Sequence, residues 1–421
     1  MGPDWRPTVG RRRGRKPRVP LSQLLPALTF HMLNGAGTLA EHGAQLFGTS
    51  LTDSSWSDRR TRLPWEIFAD LMRRALRPRA TPRRHPTAFW RGWRLTALDG
   101  TQYSLRNTPQ ILAAFVKART RRGRAAFAKL WTVVLLEVGL HNPLAAAIGR
   151  AGESEWELAC RVLAQLPPRS LLLADRLYGC AAFAAQAMAV CTQRGSHFLI
   201  RARTDLRVGV IQRLADGSRL ITVAVRDPQH PTRIIDWLEV REIRVRVKRP
   251  GRRGHELRLW TSLLVPKTAP ALELAQLYAA RWEHELYFRD LKRALRPSDL
   301  LQSQTPETVA QEVAALVLAS AVLAVERARA ATSDVPALRV SFVKVLGVVQ
   351  SLWLFLGPFE DLLTERQKDQ IVRRGYTLMR RAVTAPRRPR SCPRKVRQPV
   401  KRWPRLLQTE SISGPVDLEL R

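Results

Sequence analysis

Cysteine is scarce and unorganised in this sequence. The four residues, Cys160, Cys180, Cys191 and Cys392, show neither C-x2-C spacing nor a histidine at zinc-ligand distance, which excludes a zinc ribbon or disulfide framework and fits a reducing cytoplasm. Acids are also short: 35 Asp and Glu stand against 71 Lys and Arg, a formal net charge of +36 with a sequence pI near 11.6. That balance excludes an ordinary acidic-to-neutral metabolic enzyme. It calls for a polyanionic partner, nucleic acid before anionic membrane, because neutralised phosphates release condensed counterions. The longest apolar run, Val313 to Val325, is interrupted by Ser320 and closed by Glu326, short of the about 20 residues that span a membrane. The Arg-rich start has no apolar h-region, so no signal peptide is expected. No G-x-x-x-x-G-K-[ST] loop and no recognisable Ser/His/Asp or Cys/His arrangement is present.

What is present is enough apolar residue to bury a core, 45% of 421, with length alone suggesting about three units. Residues 1–20 form a basic arm with seven Arg or Lys and one acid. Residues 21–77 read as an all-helical, DNA-binding domain, in which Ser55-Trp56-Ser57-Asp58-Arg59-Arg60 opens either a recognition helix or a plain surface helix capped by Ser or Asp. After a Pro/Arg linker the pattern becomes mixed α/β over 90–300. Strands are expected at Trp93–Leu98, ending in Asp99-Gly100-Thr101, then at Lys129–Val138, Ala145–Ile148, Ser170–Ala174 and His197–Arg201, with a basic loop at Lys117–Arg124. A period-two stretch over 204–264 reads as a β insertion. Helices follow from about Pro270 to Leu295, from Glu307 to Ala328 and from Ala337 to Met379, making 301–380 a helical C-terminal region. Residues 381–421 form a basic tail; Arg380 to Arg405 holds eleven Lys or Arg, five prolines and no acid, a composition that cannot bury a core.

The chemistry concentrates in Tyr278-Ala-Ala-Arg281-Trp282-Glu283-His284-Glu285-Leu-Tyr-Phe-Arg-Asp290-Leu-Lys292. On an α-helix of about 100° per residue, Tyr278, Arg281, Glu285 and Lys292 fall within about 60° of one another, while Glu283 and Asp290 lie off that stripe. One face therefore carries a carboxylate among phosphate-binding groups, although an Arg281/Glu285 pair on a solvated face has the same spacing. Two further carboxylates, Asp99 and Asp175, close strands, where a turn or cap is the ordinary use of an Asp. Taken together, the three acids make an all-oxygen set suited to Mg²⁺ or Mn²⁺, and two such ions can activate a water or a 3′-hydroxyl for phosphodiester chemistry.

Y-x2-R-x3-E-x6-K, preceded by Asp99-Gly-Thr and by Asp175-Arg176-Leu177-Tyr178-Gly179, resembles the signature of bacterial DDE transposases of the insertion-sequence-four family, in order over about residues 20 to 330. Leu259-Trp260-Thr261-Ser262-Leu263 and Ser303-Gln304-Thr305-Pro306-Glu307 with Gln311-Glu312 extend the likeness. The resemblance implies a ribonuclease-H-like sheet with a β insertion between the second Asp and the Glu. It implies Asp99, Asp175 and Glu285 as ligands of two Mg²⁺ (or Mn²⁺) ions, with Tyr278, Arg281 and Lys292 on phosphates, Arg176 beside them and Trp282 stacking near the DNA end. Leu177 stands where many relatives have Gly. Relatives that pass through a hairpin use a Trp of the insertion on a flipped base; Trp237 and Trp260 are the candidates, Trp260 fitting core packing better. The implied protein binds double-stranded DNA as a homodimer at the nucleoid, with no membrane partner, and cuts and pastes an insertion sequence. An inactive DNA-binding descendant and a stand-alone Mg²⁺-dependent nuclease remain open beside it.

Overall fold

A computed structural model describes residues 18–48, 51–120, 123–150, 152–227, 229–230, 232–248, 254–296, 298, 300–332, 334–385 and the backbone of 417–420. Most of the basic arm and of the basic tail lie outside these residues. The chain runs through helices α1 (Leu21–Leu33), α2 (Leu39–Phe47), α3 (Asp53–Thr61) and α4 (Glu66–Ala75). Strands β1 (Phe89–Trp90) and β2 (Trp93–Ser104), helix α5 (Pro109–Ala114), the short strands β3 (Arg119–Thr120) and β4 (Gly123–Arg124), then β5 (Lys129–Glu137) and β6 (Asn142–Ile148) follow. Next come α6 (Glu155–Leu163), β7 (Ser170–Ala174), α7 (Ala181–Gln193), β8 (His197–Arg201), β9 (Gly209–Arg213), β10 (Arg219–Arg226), β11 (Ile234–Lys248) and β12 (His255–Thr261). Helices α8 (Ala271–Leu277), α9 (Trp282–Asp290), α10 (Pro306–Ala330), α11 (Phe342–Leu356) and α12 (Glu365–Arg381), and strand β13 (Asp417–Leu420), complete it.

Two compact units divide the chain. Of the described residues, the first holds those within Met1–Leu173, Val190–Ser196 and Arg281–Thr384, the second those within Ala174–Ala189, His197–Ala280 and Ala385–Arg421. In the first, strands are ordered β6-β5-β2-β7, with β6/β5 and β5/β2 antiparallel. An antiparallel trio with the fourth strand beside the first is the order expected of a ribonuclease-H-like core. β2 does not end before Asp99 as the sequence suggests. Its pairing with β5 continues from Thr96↔Glu137 to Ser104↔Lys129, which puts Asp99 inside the strand, opposite Val134.

Helix α10 is the hub of this unit. Thr305 caps it reciprocally with Thr308, Pro306 sits at its first turn, and α1, α3, α4, α11 and α12 pack on it. The whole helix, longer than the apolar run within it, has the length and composition of a membrane span, yet 83% of its most apolar window is buried inside the fold, as in a core helix. Helix α3 is capped by Thr52, whose side chain accepts from Ser55 N, and not by Ser55 or Asp58. Its arginines turn inward: Arg59 donates to Val19 O at 3.0 Å, and Arg60 to Ser303 Oγ and Thr308 O at 3.0 Å each. This accounts for the Ser303 to Glu312 segment, since Gln311 Nε2 donates back to Arg60 O at 2.9 Å.

The second unit carries an antiparallel sheet ordered β8-β12-β11-β10-β9, with β13 on β11. Strands β9 to β12 fill the stretch read as an insertion. Its core includes Trp260, fully buried, whose indole donates to Glu242 at 3.3 Å, while Trp237 is exposed. Glu242 also holds Arg219, Arg244 and Arg258.

The helix expected from Pro270 to Leu295 is interrupted. Tyr278–Arg281 is a 3-10 turn and Leu291–Leu295 a π turn on either side of α9. About 120° per residue in the first and a wider spiral in the second mean that a single α-helical wheel does not describe the signature.

Candidate active site

In the first unit the signature segment meets β2 at Asp99. Arg281 stands between two carboxylates, with Nη1 at 3.6 Å from Asp99 Oδ2 and Nη2 at 2.8 Å from Glu285 Oε1. All three side chains are largely covered but reach solvent. Asp99 Oδ1 also accepts from the N–H of Gly100 at 2.9 Å. The π turn brings Lys292 to the same strand, where Nζ donates to Gln102 O at 3.0 Å and lies over the Tyr103 ring at 5.3 Å. Trp282, beside Arg281, is 48% exposed. Among the described residues no three His, Cys, Asp or Glu side chains stand close enough to hold a metal ion; the guanidinium of Arg281 takes the cationic place between Asp99 and Glu285.

Two contacts that the sequence does not signal hold α9 in register. His284 is fully buried, and its Nε2 lies 2.9 Å from the carbonyl of Val134, the residue opposite Asp99. Burial lowers its pKa to about 3, so the ring is neutral and its Nε2–H donates. Glu283 meets Nε2 of His141 at 2.8 Å, from the β5–β6 turn. Burial also lowers the His141 pKa, against the pull of Glu283. In a third contact, Glu155 opens α6 with its carboxylate on the backbone of Gly100: a Cβ there would lie 2.5 Å from Glu155 Cδ. Only the glycine after Asp99 hints at this contact.

In the second unit Asp175 follows β7 and accepts from Leu177 N at 2.7 Å, an Asx turn. Tyr278 is buried and donates its hydroxyl to Ala174 O at 3.1 Å. The hydroxyl read as a phosphate contact is thus spent on the strand end that carries Asp175. Arg176 is exposed, while Tyr178 is buried against Phe183, ring centroids 4.9 Å apart. Gly179 lies so close to β8 that a Cβ would sit 2.1 Å from Arg201 O. Gly179→Ala is therefore expected to cost about 1–3 kcal/mol, because a backbone oxygen cannot yield as a side chain does. A thermal midpoint unchanged within a degree would contradict this.

The sequence model of the transposase DDE-domain family matches residues 90–322. The InsG transposase for insertion sequence element IS4 of Escherichia coli K12 is 30% identical over 244 residues, 57% of this chain and 52% of that protein. InsZ of the same strain is 28% identical over 126 residues, 29% of this chain and 41% of its own. The chain thus spans about half the length of the curated relatives it matches. A piggyBac transposase in a synaptic complex with hairpin DNA aligns over 88% of this chain and 79% of its own, at 7% identity and a TM-score of 0.43.

Proposed function

The chain belongs to the transposase DDE-domain family, and from that premise we propose that it binds the terminal inverted repeats of an insertion sequence, cleaves the DNA at them and joins the freed 3′-hydroxyls to target DNA. The observation that carries the reading is the shared guanidinium: Asp99 and Glu285 converge on one cationic group, the charge that a divalent ion would also bring to them. Their donors are oxygens, the set that Mg²⁺ or Mn²⁺ takes. With Asp175 as the third ligand from the sequence motif, these residues would hold two divalent ions, whose chemistry is to activate the attacking oxygen and steady the leaving one.

The chain's own residues do the rest. Arg281 leaves the carboxylates for a phosphate oxygen that gains charge in the transition state, and Lys292 supplies a second cation along β2. Tyr278 fixes the end of β7 beside Asp175. Trp282 and Arg176, both exposed, meet the DNA end, the first by stacking. Two copies act together at the nucleoid of a bacterium, one on each end of the element.

Incubation with Mg²⁺ and a duplex carrying the element's end is expected to yield cleaved ends and joined products. Cleavage without joining would replace the reading with a nuclease, and end binding without cleavage with an inactive DNA-binding descendant. His284→Leu is expected to lower cleavage by about 10- to 100-fold through a raised Mg²⁺ requirement, as when a residue supporting metal ligands is lost. His284→Gln, which can still donate to Val134, should recover most of it. Equal Mg²⁺ dependence in wild type and His284→Leu would remove the positioning role.

A further inference from the structure

We propose that the β3–β4 hairpin, through Lys117, Arg119 and Arg124, is an arm that grips the phosphate backbone of duplex DNA. The proposal rests on the DNA-binding part of the reading above and assigns it a surface outside the DDE signature. In a chain of net charge +36 an exposed arginine alone says nothing. Three observations set this segment apart.

The first is composition. Gly100 to Leu136 contains seven Lys or Arg and no acid. Cations here have no local carboxylate to neutralise them.

The second is pairing. β3 and β4 form a two-stranded sheet of their own, off the main sheet, in which Arg119 stands directly opposite Arg124. Like charges directly opposite across a strand pair repel and destabilise it. Both residues are exposed, and neither forms a salt bridge among the described residues. An anion between the two turns that repulsion into a clamp. A phosphate, which arginine recognises with a planar fork of donors, fits the position.

The third is mechanical. The base of the arm is fixed: Leu105, Ile111, Phe115 and Ala128 are buried. Thr108 Oγ1 donates to Gln304 O at 2.6 Å, Asn107 Nδ2 to Ala126 O at 3.2 Å and Ala125 N to Ala118 O at 2.9 Å. Val116, beside Lys117, is 91% exposed. The segment that carries the arm leaves the sheet at the end of β2, five residues beyond Asp99 or about 17 Å of strand, passes through α5 to β3 and β4, and returns as β5. A duplex whose scissile bond lies at Asp99 would pass within reach of it.

The test is the salt dependence of duplex binding by the full chain. Log affinity falls against log salt by about 0.9 per phosphate neutralised. The triple variant Lys117→Ala/Arg119→Ala/Arg124→Ala is expected to lower that slope by about 2 to 3 on duplexes with and without the element's end alike. A control of equal charge, Arg366→Ala/Arg373→Ala/Arg374→Ala on exposed positions of α12, should leave it nearly unchanged. Arg119→Lys/Arg124→Lys keeps both charges, and with a melting curve like that of the wild type it should keep most of the slope. Equal loss in the triple variant and control, no loss in either, or loss confined to the end-bearing duplex would each overturn the proposal. Wild-type binding without cleavage would sink the catalytic reading alone, whereas failure of the wild type to bind duplex at all would sink both.

Discussion

Replacing Glu285 with Gln, or Asp99 with Asn, is expected to lower Mg²⁺-dependent strand cleavage by at least about 10³-fold while duplex binding stays within about threefold. Each substitution removes one negative charge from a pair that shares a single cationic group, 2.8 Å from Glu285 and 3.6 Å from Asp99. Several kcal/mol of transition-state stabilisation depend on a divalent ion in such a site, and each 1.36 kcal/mol is tenfold in rate. The fold should tolerate the change, because both side chains reach solvent and the pairs they make with Arg281 are partly exposed and screened. Arg281 itself would lose a partner but keep the other. The measurement is single-turnover cleavage of an end-bearing duplex beside a binding titration. Cleavage within tenfold of the wild type in either variant would take that residue out of the site.

The strands around this site were readable because their signals are local. Ser170–Ala174 and His197–Arg201 lie where the sequence places them, each a short apolar run bounded by turn residues. Asp99 was readable as an acid at a strand but misplaced within it. Asp-Gly-Thr has the look of a turn, and only the nine-residue ladder with β5 carries the strand through it. The signature helix was readable as a helix, whereas its 3-10 turn, from which Tyr278 donates to Ala174 O, and its π turn, from which Lys292 donates to Gln102 O, leave no mark on the periodicity. Arg59 and Arg60 show the same limit from another side. Two arginines beside a Ser/Asp cluster look like a DNA-reading surface, until Val19, Ser303 and Thr308 supply inward acceptors from distant parts of the chain. His284 gave no signal, since a buried histidine is legible only once Val134 is known to lie beneath it.

Glu312 links the packing of α10 to the DNA-facing arm, and Glu312→Leu is expected to destabilise the protein by roughly 3–5 kcal/mol, the usual cost of breaking a buried charge pair. The carboxylate is buried, pairs with Arg296, and accepts from the N–H groups of Gln302 at 3.1 Å and Ser303 at 2.9 Å. Burial pushes its pKa up, but Arg296 and the Ser303 and Gln302 donors outweigh burial and hold it below the ordinary glutamate value of 4.5. A carboxylate depressed on folding adds stability above its unfolded pKa and loses it as pH falls through the folded value. Wild-type stability should therefore drop on acidification below about pH 4.5, and the variant should lose that part of the slope. The double variant Arg296→Met/Glu312→Leu should recover part of the loss, because no buried charge is then left unpaired; a double variant no more stable than the single would place the cost in packing alone. The segment Glu312 fixes also carries Gln302, which accepts from Arg106, and the Gln304 carbonyl that holds Thr108. Loosening it should free the base of the β3–β4 hairpin, so Glu312→Leu, assayed well below its melting midpoint, should also flatten the salt dependence of duplex binding although it touches no DNA.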